Sequence, residues 1–529
     1  MSKNIVVLSD GTGQEGGRGH DSNVYKLYRM LEDRTQDQII FYDQGLGTDW
    51  RKVTGNAFGV GFTANIEQCY RFIFENYNAG DKIFLFGFSR GAATVRSLSS
   101  FIHYFGVLPR ARSRLIDEAF ALYETGRPPA TQDSASFIED NLRKDTGRGT
   151  QIFQETSYQI YKAFRKDLSA RANQFTLAHP NMWVEIEFLG VWDTVPALGF
   201  VPQAGVSLVI DRIPWWRHNF HDFALHRSVK NAYQALSIDD DREWFVPTIW
   251  NQYGDENKQK IKQVWFTGSH TDVGGGYREA GLSDITLEWM VKNAVAHGIR
   301  LYTKSRRYWN FCIAPDETDV FHPPRAGFGR VFKSGSRSKV WDQKAIETFG
   351  PPIVHKSVLE RARQNPNYRP WILKSYGNYP DPEKWLKENL EKYLRAKYLI
   401  DLEKRYQEWC LARWERGDQN LPDVDAWLRK HPFSFSTWLR SNRAEVKKWQ
   451  DKNDYAVEEF EGQKFMVERE EITDLRDYDR TNVAEKLEQT LSDQRAGDNL
   501  WLRGMGDDRL EYDQKRWSEA DDKLKKKTA

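Results

Sequence analysis

Cysteine is scarce: Cys69, Cys312 and Cys410 are the only three in 529 residues, far apart and without CxxC spacing. That excludes a disulfide framework and a thiolate metal cluster, and fits a reducing compartment. No window approaches the roughly 18 consecutive apolar residues of a membrane span. The N-terminal MSKNIVVLSDG has an apolar run too short for a signal peptide. Nor does one sign of charge dominate, since 77 Lys and Arg stand against 75 Asp and Glu; the net +2 gives no polycationic field for nucleic acid. No internal repeat is evident. These absences describe a chain made in the cytoplasm, with any export by a route that needs no signal peptide and any membrane contact peripheral.

Aromatic residues, by contrast, are plentiful at 14%, with 20 tryptophans, and suit broad apolar clefts as well as core packing. The first part of the chain alternates short apolar runs with helical periodicity. Asn4 to Leu8 reads as a strand ending in the loop Asp10-Gly11-Thr12-Gly13. Val24, Leu27, Tyr28 and Leu31 mark a helix capped by Ser22 or Asn23. Strands follow at Ile39–Tyr42, Ile83–Phe88, Trp183–Val191 and Val264–Phe266, with helical spacing over 63–77 and again from Phe223 to Leu236. The pattern predicts an α/β fold with a mostly parallel, doubly wound sheet and its site at the strand C-terminal ends. Residues 107–178 and the Trp-rich 199–220 read as insertions over that site. Within the second, Val206, Leu208, Val209, Ile210, Trp215 and Trp216 are candidates for an acyl pocket or membrane-facing surface. We expect a catalytic unit over 1–375 and a charged helical region over 380–529.

The organising stretch is Lys82 to Leu98, KIFLFGFSRGAATVRSL. A buried strand runs into Gly87-Phe88-Ser89-Arg90-Gly91 and then into helical spacing, which is the strand–GxSxG–helix context of a nucleophile elbow. Gly87 and Gly91 let strand and helix approach around a strained serine.

A serine hydroxyl attacks a carbonyl only with a base beside it and an acid to orient the base. In α/β-hydrolases these follow in the order Ser, Asp or Glu, His. Asp193 and His270 stand just past two strands in that order, so Ser89, Asp193 and His270 are the candidate catalytic residues. Asp272 is a second candidate acid, although its nearness to His270 favours a loop-shaping role. The bland alternatives are a turn-capping Asp193 and a loop-bonded His270. His179, His218, His221 and His226 are rival bases less well placed. The oxyanion hole should use the N–H of Arg90 and one from the first loop, Gly11 or Thr12. VVLSDGT echoes a phosphatase DxDGT motif, but Leu8 occupies the position of its nucleophilic aspartate, so that chemistry is excluded. DVGGGY lacks the GK[ST] of a phosphate loop.

Taken together, VLSDGTG, SNVYKLYR, FYDQGLGT, GFSRGAATVRSL, FLGVWDTV, ALSIDDDREWFVPTIW and VWFTGSHTDVGGGY resemble, in sequence and order, the catalytic domain of type VI secretion phospholipase effectors, from about Asn4 to about Tyr368. The resemblance implies an α/β-hydrolase fold and hydrolysis of lipid esters by a Ser-Asp-His triad, which falls on the same three residues, without metal or other cofactor. The expected activity is that of a serine esterase or lipase of the phospholipase A kind. The alternative is a non-catalytic protein on a hydrolase scaffold that binds a protein partner through its C-terminal helices.

Overall fold

The computed structural model describes residues 2–468 except 12–19, 34, 46–54, 79, 109, 111–112, 114–115, 118, 121–122, 124–183, 196–224, 227, 251–258, 302–312, 326–332, 415–423 and 445–454. Thr12, most of the 107–178 insertion, the 199–220 segment, and His179, His218 and His221 therefore lie outside the described residues.

The chain opens β1 (Asn4–Ser9), α1 (Asn23–Met30), β2 (Gln38–Asp43), α2 (Gly55–Asn76), β3 (Lys82–Phe88) and α3 (Arg90–Phe105). Strands β4 (Ile186–Trp192), β5 (Asn231–Ser237) and β6 (Lys260–Phe266) follow, then α4 (His270–Gly274) and α5 (Gly281–Ala296). Ser22 is the residue that caps α1, its hydroxyl accepting the Tyr25 N–H. Strand β7 (Ile353–Val354) leads to the C-terminal helices, which include Pro382–Trp414, Val424–Lys430 and Phe435–Ser441, and to the hairpin β8 (Tyr455–Phe460) and β9 (Gln463–Glu468).

The nine strands form one sheet in the order β2-β1-β3-β4-β5-β6-β7-β9-β8, parallel throughout except for the β8–β9 pair. Parallel strands covered on both faces must be apolar on both, and these are. Ile5 and Val7 of β1, with Ile83 and Leu85 of β3, pack against α2 and α3. Their alternates Val6, Leu8, Phe84 and Phe86 pack against α1 and α5. A third apolar cluster closes the β6–β9 edge. Strand order reverses between β1 and its neighbours β2 and β3, so the crevice at this switch point opens outside the strand C-terminal ends, where α/β sheets bind ligands.

Two elements differ from expectation. The helical spacing read from Phe223 to Leu236 resolves as β5 over Asn231–Ser237. Its apolar positions are buried from both sides of the sheet, while buried Gln234 bonds Thr194 Oγ1 and Arg96; burial on both faces removes the alternation by which a strand is recognised. The described residues beyond 380 form the helices Pro382–Trp414, Val424–Lys430 and Phe435–Ser441 and then supply β8 and β9 to the main sheet. The expected boundary at 375–380 falls between β7 on one side and β8 and β9 on the other.

Candidate active site

At the end of β3, Ser89 sits at φ 56°, ψ −118°, immediately before α3. Positive φ is rare for a residue with a Cβ, and here the surroundings hold it. The Ser89 N–H donates to the Trp192 carbonyl at 3.0 Å. A Cβ on Gly87 would come within 2.4 Å of the Gly91 carbonyl oxygen, and one on Gly91 within 2.0 Å of the Ser9 carbonyl oxygen. Strand, turn and helix thus meet at distances that only glycine permits.

Register brings the next group alongside. Phe88 pairs with Trp192, so Asp193 begins the loop next to Ser89. Asp193 is fully buried and also has positive φ, 40°. Its Oδ2 lies 2.6 Å from Nδ1 of His270, the first residue of α4. The backbone N–H of Ser237 donates to Oδ1 at 3.0 Å. His270 is 4% exposed and lies 4.7 Å, ring centre to ring centre, from Phe88, the residue before the elbow serine. Phe245 covers it edge-on at 5.1 Å. The Nε2 atom of His270 is buried and has no hydrogen-bond partner among the described residues. Burial pushes the His270 imidazole below its ordinary value, against the pull of Asp193 in the other direction, so the ring is neutral at pH 7.

The residues that hold this pair were not visible in the sequence. Arg337, from the 3-10 turn Arg337–Val340, reaches Asp193 with Nη1 to Oδ1 at 2.6 Å and Nη2 to Oδ2 at 2.9 Å. Burial alone would raise the Asp193 carboxyl; Arg337 and the His270 bond overcome it and hold the carboxyl far below the usual range. Asp240 accepts the His270 backbone N–H at 3.0 Å and is itself gripped by Arg242.

Asp272, the second candidate acid, is engaged elsewhere. It completes a capping box with Ser269 at the start of α4 and lies 2.6 Å from His322 Nδ1. His226 stacks on His103 at 4.4 Å. Gly11 stands at the elbow, since a Cβ there would lie 3.4 Å from Ser89 Cβ, but its N–H donates to Asp10 Oδ1 at 2.7 Å. Asp10 is buried and also accepts from Ser22 Oγ at 2.5 Å and Tyr42 Oη at 2.8 Å. Burial outweighs these bonds and lifts its carboxyl to about 7. Arg90 begins α3, in the first turn, where backbone N–H groups point out of the helix end. Among the described residues no group of three His, Cys, Asp or Glu side chains has the arrangement to hold a metal ion. No described helix is long and apolar enough to cross a membrane.

Comparison with known proteins adds a family. The profile described as "T6SS, Phospholipase effector Tle1-like, catalytic domain" matches residues 3–293. An uncharacterized protein of Saccharomyces cerevisiae, YEL023C, is 30% identical over 139 residues, which are 23% of this chain and 20% of the yeast protein. The match thus spans about a fifth of the length of that relative. Among solved structures, the Tle1 effector bound to the VgrG spike of the type 6 secretion system is 20% identical, with 53% of this chain and 52% of that one covered at a TM-score of 0.28. An uncharacterized protein from Pseudomonas aeruginosa is 15% identical, with 84% and 62% covered at a TM-score of 0.33.

Proposed function

The chain belongs to the family of Tle1-like type VI secretion phospholipase effector catalytic domains, and from that premise we propose that it is a serine hydrolase that cleaves acyl esters of lipids through Ser89, His270 and Asp193. The observation that carries the reading is the buried His270–Asp193 bond at 2.6 Å, with the far nitrogen of the same imidazole left without a partner among the described residues. A neutral imidazole is the form that accepts a proton. In the proposed reaction Nε2 takes the proton of the Ser89 hydroxyl as its oxygen bonds to the ester carbonyl carbon. Asp193 holds the ring and stabilises the imidazolium. The proton passes to the leaving alcohol and an acyl-enzyme forms; a water then gives a proton to His270 as its oxygen bonds to the acyl carbon, and the bond to Ser89 Oγ breaks as His270 returns that proton to the serine, which frees the acid.

The carbonyl oxygen gains negative charge at the N-terminus of α3, where the Arg90 N–H and the helix dipole favour it. With the Gly11 amide turned to Asp10, Thr12 is the residue of that loop we assign as the second donor. In this reading the 199–220 segment meets the acyl chain and a membrane surface, and the helices over 382–441 face a protein partner. The catalytic unit spans 1–375, with β8 and β9 completing its sheet, and export needs no signal peptide.

The test is a panel of p-nitrophenyl esters and phospholipid vesicles, run beside labelling with a fluorophosphonate probe. Wild-type protein should hydrolyse esters and carry one adduct on Ser89, and Ser89→Ala should lose both, with activity down by at least about 1,000-fold. A well-folded wild-type chain that takes no adduct and cleaves no ester would overturn the proposal in favour of a non-catalytic scaffold.

A further inference from the structure

Three backbone carbonyls converge with the Asp193 carboxylate on one guanidinium: those of Ser237, Asp240 and Phe245, all in or after β5. Three carbonyl oxygens and a carboxylate facing one another in a dry space repel, unless a cation with enough donors sits between them. Arg337 is that cation. Its five N–H groups are all used. Nε donates to the Asp240 carbonyl at 2.9 Å, Nη1 to Asp193 Oδ1 and the Ser237 carbonyl at 2.6 and 3.0 Å, and Nη2 to Asp193 Oδ2 and the Phe245 carbonyl at 2.9 and 2.7 Å. The guanidinium is fully buried. Its segment is pinned to the same turn, with Glu243 N–H donating to the Lys333 carbonyl and Gly335 N–H to the Asp241 carbonyl. Arg337 and its segment lie past residue 293, where the family match ends, whereas the groups they bond lie within it.

Resting on the Ser89–His270–Asp193 reading, we infer that Arg337 is a positioning residue of the reaction: its planar fork fixes the plane of Asp193, and through it the ring of His270, while its charge offsets that of the buried carboxylate. Both carboxylate oxygens are bonded, so Asp193 cannot rotate away from the imidazole. Lysine, a point charge without the fork, cannot reproduce the geometry.

The charge has a separate consequence for pH. Around the pair stand Asp193, Asp240 and Asp239 on one side of the balance and Arg337 and Arg242 on the other. Removing Arg337 makes the surroundings of the pair more negative, so the pair takes up its proton at higher pH and the acid limb of the activity profile moves up.

The experiment is ester hydrolysis from pH 4 to 9 for wild type, Ser89→Ala, Arg337→Gln and Arg337→Lys, with thermal melts of each. Arg337→Gln should move the acid limb up by about one pH unit or more and lower the rate at pH 7 by on the order of tenfold to a hundredfold. Arg337→Lys should keep the limb near its wild-type place and still lose rate. Guanidinium ion added to Arg337→Ala should restore rate. A folded Arg337→Gln protein with the wild-type acid limb would reduce Arg337 to a structural role and overturn the inference. Should Arg337→Gln fail to fold, Arg337→Lys decides: full wild-type rate overturns the fork, and lost rate with an unmoved limb supports it. A Ser89→Ala protein as active as wild type would instead overturn the underlying reading, and this inference with it.

Discussion

Asp10 is a carboxyl surrounded by three neutral donors, Ser22, Tyr42 and the Gly11 amide, with Asp43 close enough to oppose its ionisation. Its folded-state value of about 7 lies above the ordinary 3.8. The protonated form therefore favours the fold; that contribution is complete below 3.8 and is lost as pH rises through about 7. Asp10→Asn keeps an acceptor for Gly11 and never ionises. Its stability relative to wild type should therefore improve steadily from pH 5 to pH 8, read as the difference in urea midpoints. A difference that stays constant over that range would show that Asp10 is not the titrating group. The contrast with Asp193 is a matter of partners: one buried carboxyl faces hydroxyls and is lifted, the other faces a guanidinium and is depressed. At this scale the sequence showed residues that end strands. Asp193 and His270 follow apolar runs and meet, but Arg337 sits in the polar stretch SGSRSKV, and nothing local distinguishes it from the arginine of a solvated loop. Only the fold, which turns that stretch onto the carbonyls after β5, makes it a buried ligand of a carboxylate.

Among the elements, α4 is five residues long and yet places His270, and its last residue determines how closely it approaches the elbow. A Cβ on Gly274 would lie 1.9 Å from the ring of Phe88, which immediately precedes Ser89 and lies against His270. Gly274→Ala must therefore push either the ring or the helix, and the serine and imidazole both move with them. Displacements near 1 Å cost on the order of 100-fold in rate, so kcat/KM for an ester substrate should fall by about that factor. Overpacking of this kind destabilises by about 1–3 kcal/mol, and the melting temperature should drop accordingly. Wild-type kcat/KM in Gly274→Ala would mean that Phe88 does not transmit position. The strands that flank the elbow were legible because their apolar runs are unbroken, as in Ile83 to Phe86. Strand β5 was not, since NAYQALS buries Asn231 and Gln234 among its apolar residues and fits helical spacing equally well. The β8–β9 hairpin was missed for another reason: it lies within a densely charged tract. Its turn, Glu461-Gly462 with φ of 50° and 74°, is the two-residue kind that twists with the strands.

For the whole molecule, that hairpin decides whether the far end of the chain is an appendage or part of the catalytic body. Lys262 of β6 and Glu468 of β9 pair at 2.6 Å, each side chain 1% exposed, across the short strand β7. Phe465, Met466 and Val467 are buried beside them, and the Tyr376 hydroxyl accepts the Met466 N–H at 2.7 Å. A buried pair contributes little net stability against an apolar replacement, but breaking it leaves one charge in a dry site at a cost of about 3–5 kcal/mol. Glu468→Ala should therefore destabilise by that order, while Lys262→Met combined with Glu468→Met should restore most of the loss. The informative readout is where the loss appears. Because β9 reaches the elbow through the contiguous strands β7, β6, β5 and β4, the urea midpoints of ester hydrolysis and of tryptophan fluorescence should fall together in Glu468→Ala. If the midpoint of hydrolysis stays at its wild-type place while fluorescence reports an earlier transition, the hairpin unfolds alone, and the sheet is two cooperative units rather than one.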